Sequence, residues 1–251
     1  MVTMLLAGAL LGSPKGLLVV DMLAIGRYGA GKWSVVKASP SDSLSKERNF
    51  NFTILNGPEA TGSLPILALE YQAEAAPGWY VTGELASSKV MWAGAKPKLP
   101  QAQRLAATSK TYLDAVQRVL DAKGLKTAKA RINQIWSVDL DGDGTKEVLI
   151  EAATKPDMTE TTMNNAKATD YSMVLIRYVK GSRTITRTLA FHDGHSGTLE
   201  GADRLRAIAD LDGDGVAEIV TSSNYYEGTS ATVWRFKKGV LTQLVTNGSG
   251  V

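Results

Sequence analysis

One acidic stretch occurs twice in this chain: residues 139–147 read DLDGDGTKE, and residues 210–218 read DLDGDGVAE. The two copies begin 71 residues apart, and each follows an apolar segment. The residues that come next, 148–150 (VLI) and 219–221 (IVT), are typical of strands, whereas the glycines within each copy are typical of tight turns. An internal repeat of this length predicts one sheet-sized unit per copy, with the acidic stretch linking two strands.

The strand pattern extends over most of the chain. The sequence has 24 glycines in 251 residues, a content above the usual value of about 7%, and it is typical of folds with many turns. Runs rich in Val, Ile, Leu and aromatic residues are separated by turn-forming residues, which predicts a mainly β fold. The predicted strands cover residues 16–25, 32–37, 51–55, 64–72, 79–84, 131–138, 147–152, 172–179, 184–191, 205–209, 218–222, 231–236 and 240–245.

A single segment, residues 101–123, has helical periodicity. Its apolar residues recur at intervals of three and four, and they are Leu105, Tyr112, Leu113, Val116, Val119 and Leu120. Pro100 suits the first turn of a helix and Gly124 suits its end, so we predict one amphipathic α-helix near residues 101–123 that packs on a sheet.

The chain divides at a Lys- and Pro-rich segment. Residues 96–100 (KPKLP) are typical of a linker. They separate a β-rich region, residues 1–100, which has no motif, from residues 101–251, which hold the helix and both acidic stretches. A single continuous domain remains the alternative.

The acidic stretches have the composition of a metal-binding loop. The chain has no cysteine, so a metal would be held mainly by oxygen, which favours Ca²⁺, Mg²⁺ or Mn²⁺. Carboxylates at positions 1, 3 and 5 and a Glu at position 9 can converge on one ion, and the glycine at position 6 permits the sharp turn. Without a cation, four carboxylates this close would repel one another. We predict two Ca²⁺ ions, with these ligands: Asp139, Asp141, Asp143, Thr145 (backbone) and Glu147; and Asp210, Asp212, Asp214, Val216 (backbone) and Glu218.

The loops differ from an EF-hand and resemble another family. An EF-hand needs a Glu at position 12, where this chain has Ile150 and Thr221. Residues 138–150 and 209–220 instead resemble the FG-GAP or VCBS repeats of integrin α-chain β-propellers and of many secreted bacterial proteins. The resemblance implies propeller-blade-like antiparallel sheets with a calcium loop between two strands of a blade. Two motifs are too few for a complete seven-bladed propeller, so we expect a smaller β-rich fold.

Both histidines of the chain lie in residues 192–196 (HDGHS). A secreted hydrolase that uses His192, Asp193 and His195, with Glu227, is therefore an alternative function. However, Asp-Gly and Ser-Gly are turn formers, and no activated nucleophile is evident. We assign no catalytic residue and expect a protein that is not an enzyme.

The net charge and the hydropathy of the chain restrict the kinds of partner that we expect. The net charge is +3, but the two acidic stretches hold eight of the 25 acidic residues, which leaves 28 basic and 17 acidic residues elsewhere. This balance favours an anionic polysaccharide or another surface protein as a partner. The basic residues are scattered, so no nucleic acid is expected. No apolar run reaches the roughly 18 residues of a membrane span.

The first residues leave two interpretations open. Residues 1–14 contain a short apolar run, which is either a signal-peptide remnant or a first strand. Together with the acidic loops, the sequence predicts a calcium-binding protein of the secretory route or the cell envelope. We expect it to act in binding or adhesion, with calcium in a structural role.

Overall fold

The fold is mainly β. The structure is a computed structural model that describes residues 16–42, 49–74, 76–82, 89–156, 163–225 and 228–250. Within these residues the chain forms three antiparallel sheets and one α-helix, which confirms the predicted fold class. The apolar run in residues 1–14 lies outside the described residues.

Sheet I is formed by the N-terminal third of the chain. Its strands are β1 (Gly16–Val20), β2 (Leu23–Gly29), β3 (Lys32–Val35), β4 (Asn49–Asn56), β5 (Glu59–Gln72), β6 (Gly78–Val81) and β7 (Val90–Gly94). They lie in the order β1-β7-β4-β5-β6-β2-β3, and β1 also pairs with β2. The sequence predicted one strand over residues 16–25, but the chain turns at Asp21 and Met22, which both have positive φ. The strand prediction also omitted β7.

Each acidic stretch links the first two strands of a four-stranded meander. Sheet II contains β8 (Ala102–Arg104), β9 (Ile132–Val138), β10 (Glu147–Ala153), β11 (Tyr171–Lys180) and β12 (Arg183–Asp193). Sheet III contains β13 (Ala202–Ala209), β14 (Glu218–Tyr225), β15 (Gly228–Lys237) and β16 (Val240–Gly250). We call residues 139–147, between β9 and β10, loop 1, and residues 210–218, between β13 and β14, loop 2. The two loops therefore hold equivalent positions in two similar sheets.

The helix is shorter than predicted. Helix α1 spans Lys110–Ala122, and Gly124 follows it with a φ of 87°. The first part of the predicted helix forms β8, where Ala102 pairs with Val138 of β9. Leu105 remains extended because its N–H donates to the carbonyl of Ile135, so its apolar side chain packs on sheet II without a helix. The described part of the chain contains no helix with the length and apolarity that a bilayer crossing requires.

Sheet III lies between the other two sheets. Alternate side chains of a strand point to opposite faces. In sheet III, Ile208 and Ile219 pack on sheet II, whereas Ala207 and Val220 pack on sheet I. The far face of sheet II is covered by α1. The order of layers is thus α1, sheet II, sheet III and sheet I.

Polar contacts join β13 to both neighbouring sheets. The carboxylate of Glu151, in sheet II, accepts hydrogen bonds from the N–H of Leu205 at 2.8 Å and from Arg204 at 3.1 Å. On the other side, the guanidinium of Arg206 forms an ion pair with Asp21 of sheet I at 2.8 Å. These contacts fix the relative positions of the three sheets.

The helix–sheet contact predicts a large effect of truncation at Leu120. This side chain is fully buried against sheet II, whereas Leu99 is 40% exposed. We expect Leu120→Ala to lower the free energy of unfolding by about 2–5 kcal/mol, through lost burial and a residual cavity. The matched change Leu99→Ala is expected to cost less than about 0.5 kcal/mol. Urea titration followed by circular dichroism measures both, and equal costs would contradict the proposed packing role of α1.

Candidate metal centre

Loop 1 is curled by its first aspartate. The carboxylate of Asp139 accepts hydrogen bonds from the N–H groups of Gly142 at 2.8 Å and Gly144 at 2.9 Å. Both glycines have positive φ, 72° and 86°, a conformation that costs least for glycine. The alternation of Asp and Gly therefore folds the loop back on itself and turns its acidic side chains toward one another.

Glu147 closes the loop. It is the first residue of β10 and is almost fully buried. Its Oε2 accepts a hydrogen bond from the N–H of Leu140 at 3.1 Å. Burial raises the pKa of Glu147 to about 7, and the charges of Asp141 and Asp143 contribute. The site therefore disfavours the carboxylate form of Glu147 in the absence of a positive charge.

Three of the predicted side-chain ligands meet in loop 1. One oxygen each of Asp139, Asp141 and Glu147 lies within 4.8 Å of the others. Oδ2 of Asp141 accepts a hydrogen bond from the N–H of Lys238 at 2.6 Å, but its buried Oδ1 has no hydrogen-bond partner in the described structure. Asp143 is exposed and accepts from the N–H of Thr145 instead. The donor set is all oxygen, and the unpaired Oδ1 fits a hard cation.

Loop 2 has the same backbone design. Asp210 accepts hydrogen bonds from Gly213 at 2.7 Å and Gly215 at 3.1 Å, and buried Glu218 accepts from the N–H of Leu211 at 2.9 Å. Its corresponding side-chain oxygens, from Asp210, Asp212 and Glu218, also lie within 4.8 Å of one another. Asp214 accepts from the N–H of Val216, as Asp143 does from Thr145.

The two loops differ in their positively charged neighbours. In loop 2 the guanidinium of Arg235, on β15, contacts Glu218 at 2.8 Å, lies 3.5 Å from Asp214 and also bonds to Asp212. Burial still raises the pKa of Glu218 to about 7, although the hydrogen bond from Arg235 acts in the opposite direction. Among the described residues, no Lys, Arg or His forms an ion pair with a carboxylate of loop 1. Arg235 was not part of the predicted site.

The loops lie side by side at a junction of sheets. The N–H of Ala217, in loop 2, donates to the carbonyl of Leu140, in loop 1, at 2.7 Å. Loop 1 also contacts the β15–β16 turn through Lys238, and loop 2 contacts sheet I through Trp33, whose Nε1 lies 3.3 Å from Asp212. A ligand bound in either loop would therefore affect the packing between neighbouring sheets.

In the histidine segment, each histidine lies next to a different aspartate. His192 Nδ1 lies 3.0 Å from Asp203, a residue that sequence reasoning missed, and His195 lies 3.6 Å from Asp193. Asp203 is buried and also bonds to the hydroxyl of Ser172, which donates to the carbonyl of Gly201. This hydroxyl is fully buried, and the cluster joins sheets II and III. Glu227 lies outside the described residues.

A small pocket of about 340 Å³ adjoins the histidines, and His192, Asp193 and His195 are among its lining residues. The two histidines are each paired with a different aspartate, so the segment contains two separate His–Asp pairs. The sequence offers no signal for the pairing of His192 with Asp203, because the contact depends on how β12 packs against β13.

The chain matches no known protein family, no curated protein and no solved structure.

The His192–Asp203 pair predicts a pH-dependent contribution to stability. The hydrogen bond that His192 donates to Asp203 raises the pKa of His192, and burial opposes this effect in part. Because the folded-state pKa lies above the unfolded value of about 6.5, the contribution is complete below that value. It is lost as pH rises through the folded-state pKa.

We therefore expect His192→Gln to destabilise the protein more at pH 5.5 than at pH 8.5. The exposed His195 supplies the matched control, and His195→Gln is expected to show a smaller pH dependence. Thermal unfolding in chelator at several pH values measures both. A His192→Gln effect that is constant with pH would contradict the ion pair.

Proposed function

We propose that this protein binds calcium and that the ion has a structural role, in a protein of the binding or adhesion type. The observation that carries the proposal is the incomplete pairing of loop 1. Its carboxylates converge, Oδ1 of Asp141 has no hydrogen-bond partner in the described structure, and no described cationic side chain forms an ion pair with them. A divalent cation would supply both the missing partner and the missing charge.

The chemistry of the donors favours calcium among the divalent ions. Carboxylates in a flexible, glycine-rich loop suit the six to eight oxygens and variable geometry of Ca²⁺. Mg²⁺ demands near-ideal octahedral geometry and keeps several of its waters. The absence of cysteine and the distance of both histidines from the loops leave softer metals without their preferred ligands. Asp139, Asp141 and Glu147 are the side chains that would hold the ion.

The position of loop 1 supports a structural role. Loop 1 contacts the β15–β16 turn of sheet III, so an ion there would hold two sheets together. An ion that binds only the folded state adds stability by mass action, about 2.7 kcal/mol at a free concentration of 100 times the dissociation constant. This mechanism requires no catalytic group.

The resemblance to FG-GAP or VCBS repeats supports a location outside the cytoplasm. In each of two four-stranded meanders the first connection carries the acidic loop, which is the arrangement that the resemblance implies. Extracellular calcium modules typically have dissociation constants of about 10⁻⁴–10⁻³ M, and we propose that this protein is a weak calcium module of that kind, in the cell envelope or the exterior. The basic remainder of the chain favours an anionic polysaccharide or another surface protein as its partner.

Calcium titration of chelator-stripped protein tests the proposal. We expect heat of binding in calorimetry and a melting temperature that rises by about 5–10 °C at saturating calcium. Asp141→Asn should abolish both effects at loop 1, because it removes charge from the group with the unpaired oxygen. Glu59→Gln, which changes an exposed acid far from the loops in sequence, should leave both unchanged.

Two outcomes would contradict the proposal. An absence of binding at millimolar calcium would remove calcium as the ligand. Binding that Asp141→Asn and Glu147→Gln leave unchanged would place the ion at another part of the chain.

A further inference from the structure

The two loops have nearly the same sequence, but among the described residues a basic side chain forms ion pairs with the carboxylates of loop 2 alone. Arg235 lies directly across the sheet from Glu218 in the β14–β15 pairing. Its Nη2 donates to Oε1 of Glu218 at 2.8 Å, its Nε donates to the same oxygen at 3.2 Å, and it also bonds to Asp212. Three carboxylates of the predicted ligand set thus face one guanidinium, since Asp214 lies 3.5 Å away.

The remaining acceptors of loop 2 are also engaged. Both oxygens of Asp210 accept backbone N–H groups, as those of Asp139 do in loop 1, so the difference lies at Asp212, which accepts from Trp33 as well as from Arg235. The side chains of Asp212 and Glu218 are 2% and 0% exposed. A metal ion between them would have to displace the guanidinium or share the site with it, and two cations that close repel one another. With Arg235 in place, loop 2 therefore suits a divalent ion less well than loop 1 does, although its oxygens also converge.

No described basic side chain forms an ion pair with loop 1 as Arg235 does with loop 2. Val148 pairs with Arg177, so the antiparallel register places Tyr178 opposite Glu147. Tyr178 is almost fully buried, and its ring packs against Phe236 at an angle of 55° with centroids 4.8 Å apart. At the position where loop 2 has a guanidinium, loop 1 has an aromatic ring that brings no charge.

We propose that Arg235 is a built-in cation that replaces the metal in loop 2, so that the protein has one exchangeable calcium position, in loop 1. Loop 2 is then folded at every calcium concentration, and its hydrogen bond from Ala217 to Leu140 positions loop 1 for the ion. This inference rests on the proposed function for loop 1 but makes a separate statement about loop 2.

The stoichiometry of the wild-type protein is the first test. Calorimetry with calcium chloride on chelator-stripped protein is expected to give one ion per chain, and Asp141→Asn is expected to give none. Two ions per chain, or one ion that Asp214→Asn removes and Asp141→Asn does not, would overturn the inference and leave calcium binding intact. No binding by the wild type would instead remove the proposed function.

Substitution of Arg235 is the second test. Arg235→Met removes the charge but keeps an apolar stem, and Arg183→Met, on exposed β12, is the matched control. In chelator, Arg235→Met is expected to lower the melting temperature by about 5–10 °C, because it leaves buried carboxylates without a partner. An unchanged melting temperature would overturn the role of Arg235, whether or not loop 1 binds calcium.

Calcium should then rescue the variant. We expect Arg235→Met to bind two ions per chain and the double variant Asp141→Asn/Arg235→Met to bind one, in the loop that the guanidinium has left. If Arg235→Met does not fold in chelator, refolding in millimolar calcium supplies the same readout, since rescue requires an ion in loop 2. If Arg235→Met still binds only one ion per chain, the proposal that Arg235 replaces a metal ion in loop 2 is overturned.

Discussion

The burial of sheet III on both faces is the constraint on which the rest of the structure depends. Its strands present Ile208 and Ile219 to one neighbouring sheet and Ala207 and Val220 to the other. Along β13 and the first part of β14 both faces are covered, and a polar group that is buried there is costly unless it is paired. Both acidic loops are connections between strands that border these buried layers.

This constraint explains why each loop ends in a buried glutamate. Glu147 and Glu218 begin the second strand of their four-stranded meanders, and each accepts a backbone N–H from within its own loop. That bond shapes the loop, but it leaves a carboxylate in an environment that raises its pKa to about 7. A positive charge is needed to stabilise the ionised form. Loop 2 obtains it from Arg235, and we infer that loop 1 obtains it from calcium.

Local sequence features predicted the strands and the loops because both depend on neighbouring residues. Alternating apolar residues identified most strands, and the Asp and Gly pattern of residues 139–147 identified a curled acidic loop. Prediction failed where a distant partner decided the conformation. Residues 102–104 were included in the predicted helix but pair with β9, and the turn at Asp21 coincides with an ion pair to Arg206 of another sheet.

The sequence by itself therefore determined the mainly β fold, the single helix and the positions of two acidic loops with equivalent residues. Only the tertiary structure distinguished the loops. Arg235 lies 17 residues after Glu218 in sequence, and its position opposite that residue depends on the register of β14 and β15. Likewise, Asp203 reaches His192 only through the packing of two sheets. The physical reason is that a turn or an alternating strand pattern depends on residues that are close in sequence. Strand pairing and sheet packing instead bring together residues that are far apart in sequence, and no periodic pattern of residues indicates which of them will meet.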